Sequence, residues 1–371
     1  LEQIGLGYGG SSMKGGADLN RNNLDLIRLF LATIVAFYHL SVLTGFPEYS
    51  TFGRYLSAHF AVKGFFVISG LLIYRSYITS SSNRSYLGKR VRRIYPAYFT
   101  VVLFAAIALF PLSTMTASQY FGAGFWKYIA ANLVFLNFLE PSLPGVFTAN
   151  TMSAVNGALW TLKIEVAFYL FVPVIHYLCN RFGTKKVIGA IFGLSCIWKY
   201  GFALLDLMYK SSGIYSLDSS RTLYSQLGSQ FPAQLAYFSA GIFLYLYFDT
   251  LKQNMISILC VSAGLFSLDH WFTGELLDIV WISGFVFIVG FWIYLGNYSK
   301  YGDFSYGVYI VHFPILQVMI VFGRSILTPS VFLSLYVSLV GLAAFILWHL
   351  VEKRFLASSS HYCLISHKHS V

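Results

Sequence analysis

The stretch Arg21 to Leu43, RNNLDLIRLFLATIVAFYHLSVL, is apolar over a membrane-spanning length yet carries Asp25, Arg28 and His39. Ionisable side chains are costly in hydrocarbon, so inside a span they face a protein interior or a water-filled cavity and mark a functional site by default. Arg28 and His39 are eleven positions apart. On a helix that spacing puts them within about 20° of one another and roughly 16 Å apart along the axis. One helix face then offers a cation at one end and an imidazole at the other, with the small residues Ala32, Val35 and Ala36 between them. An imidazole exchanges protons near neutral pH and can take one from a hydroxyl. The plainer alternative is a surface pair of Asp25 with a snorkelling Arg28, and a His39 that merely satisfies a neighbouring helix.

Glu165 raises the same question. It lies inside LWTLKIEVAFYLF, away from either helix end, and Lys163, two positions earlier, projects from another face. An intramembrane carboxylate is expected to meet a histidine or lysine of another helix. His39 and His59 are expected at matching depth, His176 follows eleven positions along the same face, and His312 with Ser305 and Tyr309 marks another polar seam. A carboxylate beside an imidazole fixes its tautomer or supports its charged form.

In the run Lys89, Arg90, Val91, Arg92, Arg93, four positive side chains stand within one short loop. Such a run is commonly a topology determinant. It also suits a phosphate clamp, because the arginine fork matches phosphate oxygens and a multiply phosphorylated ligand needs several cations. Arg28 enters the membrane on the same side and extends the cluster. GxSxG, HExxH and Walker A patterns are absent. Direct transfer to a hydroxyl activated by His39 therefore fits better than a covalent serine route.

These positions call for membrane helices, and the composition agrees. The chain of 371 residues is 57% hydrophobic and only 11% charged, with mean hydropathy +0.66. Soluble domains carry about 25% charged residues, so an ordinary soluble protein is excluded. The 19% aromatic content suits interfacial belts. Periodicity predicts an all-α, polytopic fold with about ten transmembrane helices, at 24–46, 57–77, 94–112, 157–178, 187–206, 231–248, 255–268, 276–295, 304–322 and 330–350. Residues 125–139 are too short to span and read as a re-entrant or interfacial helix. With a cytoplasmic N-terminus, seventeen Lys and Arg fall inside, five fall outside, and Lys63, Lys163 and Lys199 lie within spans. That asymmetry places both termini in the cytoplasm. It also turns the formal charge of +11 into a topology signal, so no nucleic-acid partner is expected. Cys179, Cys196, Cys260 and Cys363 lack zinc-ligand or CxxC spacing, so neither a metal nor structural disulfides are expected.

In this order, several motifs resemble the membrane-bound acyltransferase-3 family, which includes bacterial polysaccharide and sugar O-acetyltransferases. They are NLDLIRLFLATIVAFYHL, FFVISGLLI at 65–73, KRVRRIYPAYF, LWTLKIEVAFYLFVP at 159–173 and FSYGVYIVHFPI at 304–315. The resemblance covers about residues 21–352. It implies transfer of an acyl group, usually acetyl, from cytoplasmic acetyl-CoA to a hydroxyl of a carbohydrate or lipid-linked glycan. It implies His39 as the catalytic residue and Arg28, Arg90 and Arg93 as donor-binding residues, to which the basic run adds Lys89 and Arg92. Glu165 is expected to orient the base or support its charge. The expected setting is a bacterial inner membrane, with lipid as a further partner; a homo-oligomer is compatible with the pattern.

Residues 1–20 are expected to be a disordered or vector-derived leader, 21–352 the acyltransferase domain and 353–371 a cytoplasmic tail. The form expected is stand-alone, without the fused hydrolase-like domain that some family members carry. Loops at 140–157 and 208–230 are long enough to shape an acceptor site. A membrane transporter or flippase for a glycan or lipid-linked precursor is the competing class. Such proteins show paired broken helices, and the half-helix at 125–139 has no clear counterpart.

Overall fold

The computed structural model describes residue 19 and residues 21–211, 222–269, 276–296 and 298–356. The expected leader at 1–20 (residues 19 and 21 onward aside), most of the tail, Cys363 and the middle of the 208–230 loop lie outside the described residues. Among those described, every regular element is helical. The main helices are α1 (Leu24–Leu43), α2 (Ala58–Ile78), α3 (Asn83–Ala108), α4 (Ala123–Leu133), α5 (Trp160–Phe182) and α6 (Thr184–Ser211). They continue as α7 (Phe231–Leu246), α8 (Met255–Asp269), α9 (Leu276–Phe291), α10 (Phe304–Gly323) and α11 (Pro329–Leu347).

Among the described residues, seven helices are long and apolar enough to cross a membrane: α1, α2, α3, α5, α6, α10 and α11 with its C-terminal extension. The chain is thus an all-α, polytopic membrane protein. The helices α7, α8 and α9, of 16, 15 and 16 residues, occupy three other positions where spans were expected. Within 125–139 only the first part is helical. The 11-residue α4 ends at Leu133, and Phe135 turns the chain with φ +62°. The Asn132 side chain secures that turn by donating to the carbonyls of Tyr128 and Glu140, both at 2.9 Å.

The structure corrects two local expectations. Lys89 to Arg93 are helical, inside α3, and Pro96 lies in the helix interior rather than near its start. The helix begins early because Ser82 caps it, its Oγ accepting from the Ser85 N–H at 3.2 Å. Its first turns are then tied to other helices, as when the Tyr86 hydroxyl donates to the Tyr169 carbonyl at 3.1 Å. An interior proline forfeits a backbone hydrogen bond at a cost of about 3 kcal/mol, and here several tertiary bonds on either side offset it. A further short helix, Pro47–Gly53, follows α1.

α10 carries buried residues on every face, from Ser305 to Gly323, as a helix at the centre of a bundle must. It packs against α1, α3 and α11. α2 crosses α7 closely, with a glycine on each side. A Cβ on Gly70 would fall 2.0 Å from the Phe238 carbonyl oxygen, and one on Gly241 would fall 2.0 Å from that of Val67. Because both obstacles are backbone, side-chain movement cannot relieve them. Gly70→Leu and Gly241→Leu are each expected to destabilise the bundle by roughly 3 kcal/mol. The check is a lowered thermal transition and loss of monodisperse protein in detergent, whereas Gly189→Leu, with open space around its Cβ position, leaves both unchanged.

Candidate active site

One buried carboxylate gathers the charged end of the bundle. Asp303 caps α10, its Oδ1 accepting from the Ser305 N–H at 3.1 Å and from the Ser305 hydroxyl. Its Oδ2 accepts from Arg28 Nη1 of α1 at 2.5 Å and from Arg93 Nη2 of α3. Arg93 Nη1 also reaches Glu352 Oε2 at 3.2 Å, in a π-helical turn (Trp348–Glu352) that extends α11. Asp25 stands 3.9 Å from Arg28. Two arginines from different helices thus converge on one acid whose side chain is 1% exposed.

Burial alone would raise the Asp303 carboxyl, but Arg28 and Arg93 outweigh it and hold the group well below the usual carboxylate range. Its contribution to stability is therefore present above the ordinary carboxyl value near 4. It is lost only as pH falls through the lower folded value.

Beside this clasp lies a cavity of about 390 Å³. Its cationic wall is Arg28, Arg75, Lys89, Arg90 and Arg93; Glu165, Thr161, Ser305 and Tyr309 also line it. Arg90 donates from Nη2 to the Ser76 hydroxyl at 3.0 Å, while its Nε is buried with no hydrogen-bond partner. Lys89 donates to the Ser80 hydroxyl at 3.1 Å. A buried donor without a partner is costly, which suits a wall that awaits an anion. Arg92 is exposed and does not line the cavity, because on the helix it points away from the face of Lys89, Arg90 and Arg93. That corrects its place in the expected cluster. Arg75 and Asp303 are members of the site that the sequence alone does not single out.

Glu165 accepts from the Tyr169 hydroxyl at 2.7 Å, one turn along its own helix. The expected contact with a histidine or lysine is not among its hydrogen bonds. His176 instead pairs with the Tyr74 hydroxyl at 3.1 Å and with Asn180 at 3.0 Å, and His59 is exposed. At the inner end of the cavity, Tyr309 bonds to the Thr161 hydroxyl at 2.7 Å and donates to the Ala158 carbonyl at 3.1 Å. Behind Tyr309, His39 Nδ1 lies 3.0 Å from His312 Nε2, with the ring centroids 5.2 Å apart. His39 is half-buried and His312 fully buried. The cavity itself stops at Tyr309, Thr161 and Phe65 and includes neither histidine. The 140–157 loop closes over α10 near His312. Gln317 donates to the carbonyls of Met152 at 2.5 Å and Ala154 at 2.7 Å, and Asn156 donates to the Ile310 carbonyl at 2.8 Å.

Among the described residues no group of three or more His, Cys, Asp or Glu is arranged to hold a metal ion. Chemically, the arrangement offers a strongly cationic chamber and, a short polar step beyond it, a pair of bonded imidazoles.

A family model described as an acyltransferase domain matches residues 21–349. The chain is 28% identical over 347 residues to the O-acetyl transferase of Shigella phage Sf6, covering 91% of this chain and 97% of that protein. It is 28% identical over 337 residues to Nodulation protein 10 of Rhizobium leguminosarum bv. viciae, covering 82% and 85% of the two chains. The O-acetyltransferase OatA of Staphylococcus aureus is 24% identical over 315 residues, 80% of this chain but 44% of that protein. No solved structure matches.

Removing the acid of the clasp leaves two arginines facing each other in a buried site. Breaking one partner out of a buried ion pair costs about 3–5 kcal/mol. Asp303→Asn is expected to lose that much stability, read as a lowered thermal transition of the purified protein. An unchanged transition would show that the arginines find other anions.

Proposed function

Because the chain belongs to the membrane acyltransferase-3 family, we propose that it is an O-acetyltransferase. It moves an acetyl group from cytoplasmic acetyl-CoA to a hydroxyl of a cell-surface or lipid-linked glycan. The observation that carries this reading is the cavity with five cationic side chains on its wall and polar groups leading from it toward His39. Coenzyme A presents phosphates at one end and a thioester on a long thin arm at the other. A chamber with five cationic side chains on its wall suits the phosphates.

Within this reading, the phosphates lie against Lys89, Arg90 and Arg75. Arg28 and Arg93, already engaged by Asp303, add long-range charge and hold the wall in place. The thioester arm runs along Phe65 to Thr161 and Tyr309, where the cavity ends, and these two side chains must move aside for it to reach His39. There the acceptor oxygen gives its proton to His39 as it attacks the thioester carbonyl. The C–O bond forms, the C–S bond breaks, and the imidazolium returns the proton to the departing sulfur. Glu165, bonded to Tyr169 on the cavity wall, sets the electrostatics of the donor chamber rather than the tautomer of the base. The acyltransferase domain is taken as residues 21–352, with ten spans, both termini cytoplasmic and the 140–157 loop beside the acceptor, in a bacterial inner membrane.

Two variants test the division of labour. His39→Ala is expected to lower turnover by about 100-fold or more while donor binding persists. Arg90→Ala is expected to weaken acetyl-CoA binding by about tenfold, the loss of one charge-assisted contact, with little change in thermal stability. Both are read with purified protein by thioester consumption and by direct donor-binding measurement. Full turnover in His39→Ala would remove the base from the scheme.

A further inference from the structure

The pair formed by His39 and His312 has an internal logic that fixes which nitrogen carries each proton. His312 Nδ1 lies 3.2 Å from the Val308 carbonyl oxygen. A carbonyl only accepts, so that nitrogen bears the hydrogen. His312 is 0% exposed, and among its hydrogen-bond partners there is no carboxylate. Charging it there would be costly, so it is neutral. A neutral imidazole with hydrogen on Nδ1 has a lone pair on Nε2. The His39 Nδ1 at 3.0 Å must then be the donor. It follows that His39 Nε2 has the lone pair.

We propose that His312 is a positioning residue for His39: by accepting the His39 Nδ1–H, it holds the ring in the tautomer whose Nε2 takes the acceptor proton. The proposal rests on the O-acyl transfer reading, in which His39 is the general base. The groups facing the pair from the elements around it are few. Tyr309 of α10 stands 6.0 Å from His312 by ring centroid and is bonded to Thr161 and Ala158. Tyr38 and Phe313 meet His39 edge-on at 5.7 and 5.1 Å. Glu165, the carboxylate on the facing helix, is bonded to Tyr169. The carboxylate that orients a catalytic histidine in many hydrolases is thus replaced here by a second, neutral imidazole.

Compared with a carboxylate, a neutral acceptor fixes the tautomer while giving weaker support to the imidazolium. Proton transfer at His39 is then sensitive to the loss of that acceptor, whereas donor binding, which occurs in the basic chamber, is not. The rings lie 19° from parallel with centroids 5.2 Å apart, as a near in-plane N–H···N bond requires.

The test uses the full chain in lipid nanodiscs, with ¹⁵N-labelled histidine and acetyl-CoA as the donor probe. In the wild-type protein the His39 resonances should show a protonated Nδ1 and a bare Nε2. His312→Phe should move His39 toward a mixed tautomer and lower kcat by about 100-fold, with donor KM and binding within about twofold. His312→Gln, whose amide oxygen can accept at the place of Nε2, should restore kcat to within about tenfold of wild type. The proposal is overturned if His39 carries its hydrogen on Nε2 in the wild type, or if His312→Phe leaves kcat unchanged. It is also overturned if Phe and Gln variants lose kcat and thermal stability alike, which marks a packing role. His39→Ala run in parallel separates the two levels: full turnover there refutes His39 as the base, while the tautomer measurement judges His312 independently of turnover.

Discussion

Asp303 is the point on which the charged end of the bundle depends. A single carboxylate at the N-terminus of the most enclosed helix binds Arg28 of α1 and Arg93 of α3. Without it, two guanidiniums would sit together in a poorly solvated place, each desolvated and repelled by the other. With it, three helices that are far apart in sequence are held at one depth. The arginine wall of the cavity can then be dense in charge without forcing the helices apart. Glu352 adds a second acid behind Arg93, so the clasp reaches the C-terminal end of α11 as well.

This arrangement divides the arginines into two kinds. Arg28 and Arg93 are neutralised by acids of the protein, and their fork geometry is partly used before any ligand arrives. Arg90 keeps a buried Nε without a hydrogen-bond partner, and Lys89 is held only by a serine hydroxyl. On the proposed reading an incoming polyanion gains most from the second kind. The first kind stands in the cavity wall already paired.

The imidazole pair at the other end works by the opposite principle. No acid is bonded to it, and both rings sit among aromatic side chains. His39 is half-buried and His312 fully buried, and their ring neighbours are aromatic rather than charged. Tyr309 and Thr161 stand between the two regions and are bonded to each other rather than to either side. Their pair marks the place where the cavity ends. The 140–157 loop, buttressed by Gln317 and Asn156, closes the histidine side.

The sequence by itself determined the membrane character, the helical class and the family, because hydropathy and residue order are local properties that survive without any tertiary contact. It also placed His39 and Arg28 on one face of one helix, since the helical repeat alone fixes that relation. It showed which residues are too expensive to leave in lipid, Arg28, His39 and Glu165 among them. Only the tertiary structure decided their partners. Periodicity offered Glu165 a histidine, and the fold gave it Tyr169 on its own helix; His312 was a bare polar mark until α1 and α10 met. The basic run reads as a loop in the sequence, yet caps and cross-helix bonds carry α3 through it and through Pro96. Asp303 looked like one more polar residue between helices, for pairing across 275 and 210 positions leaves no trace in a local pattern. Long-range charge pairing and tautomer choice depend on which helices touch, and that is settled by packing rather than by spacing along the chain.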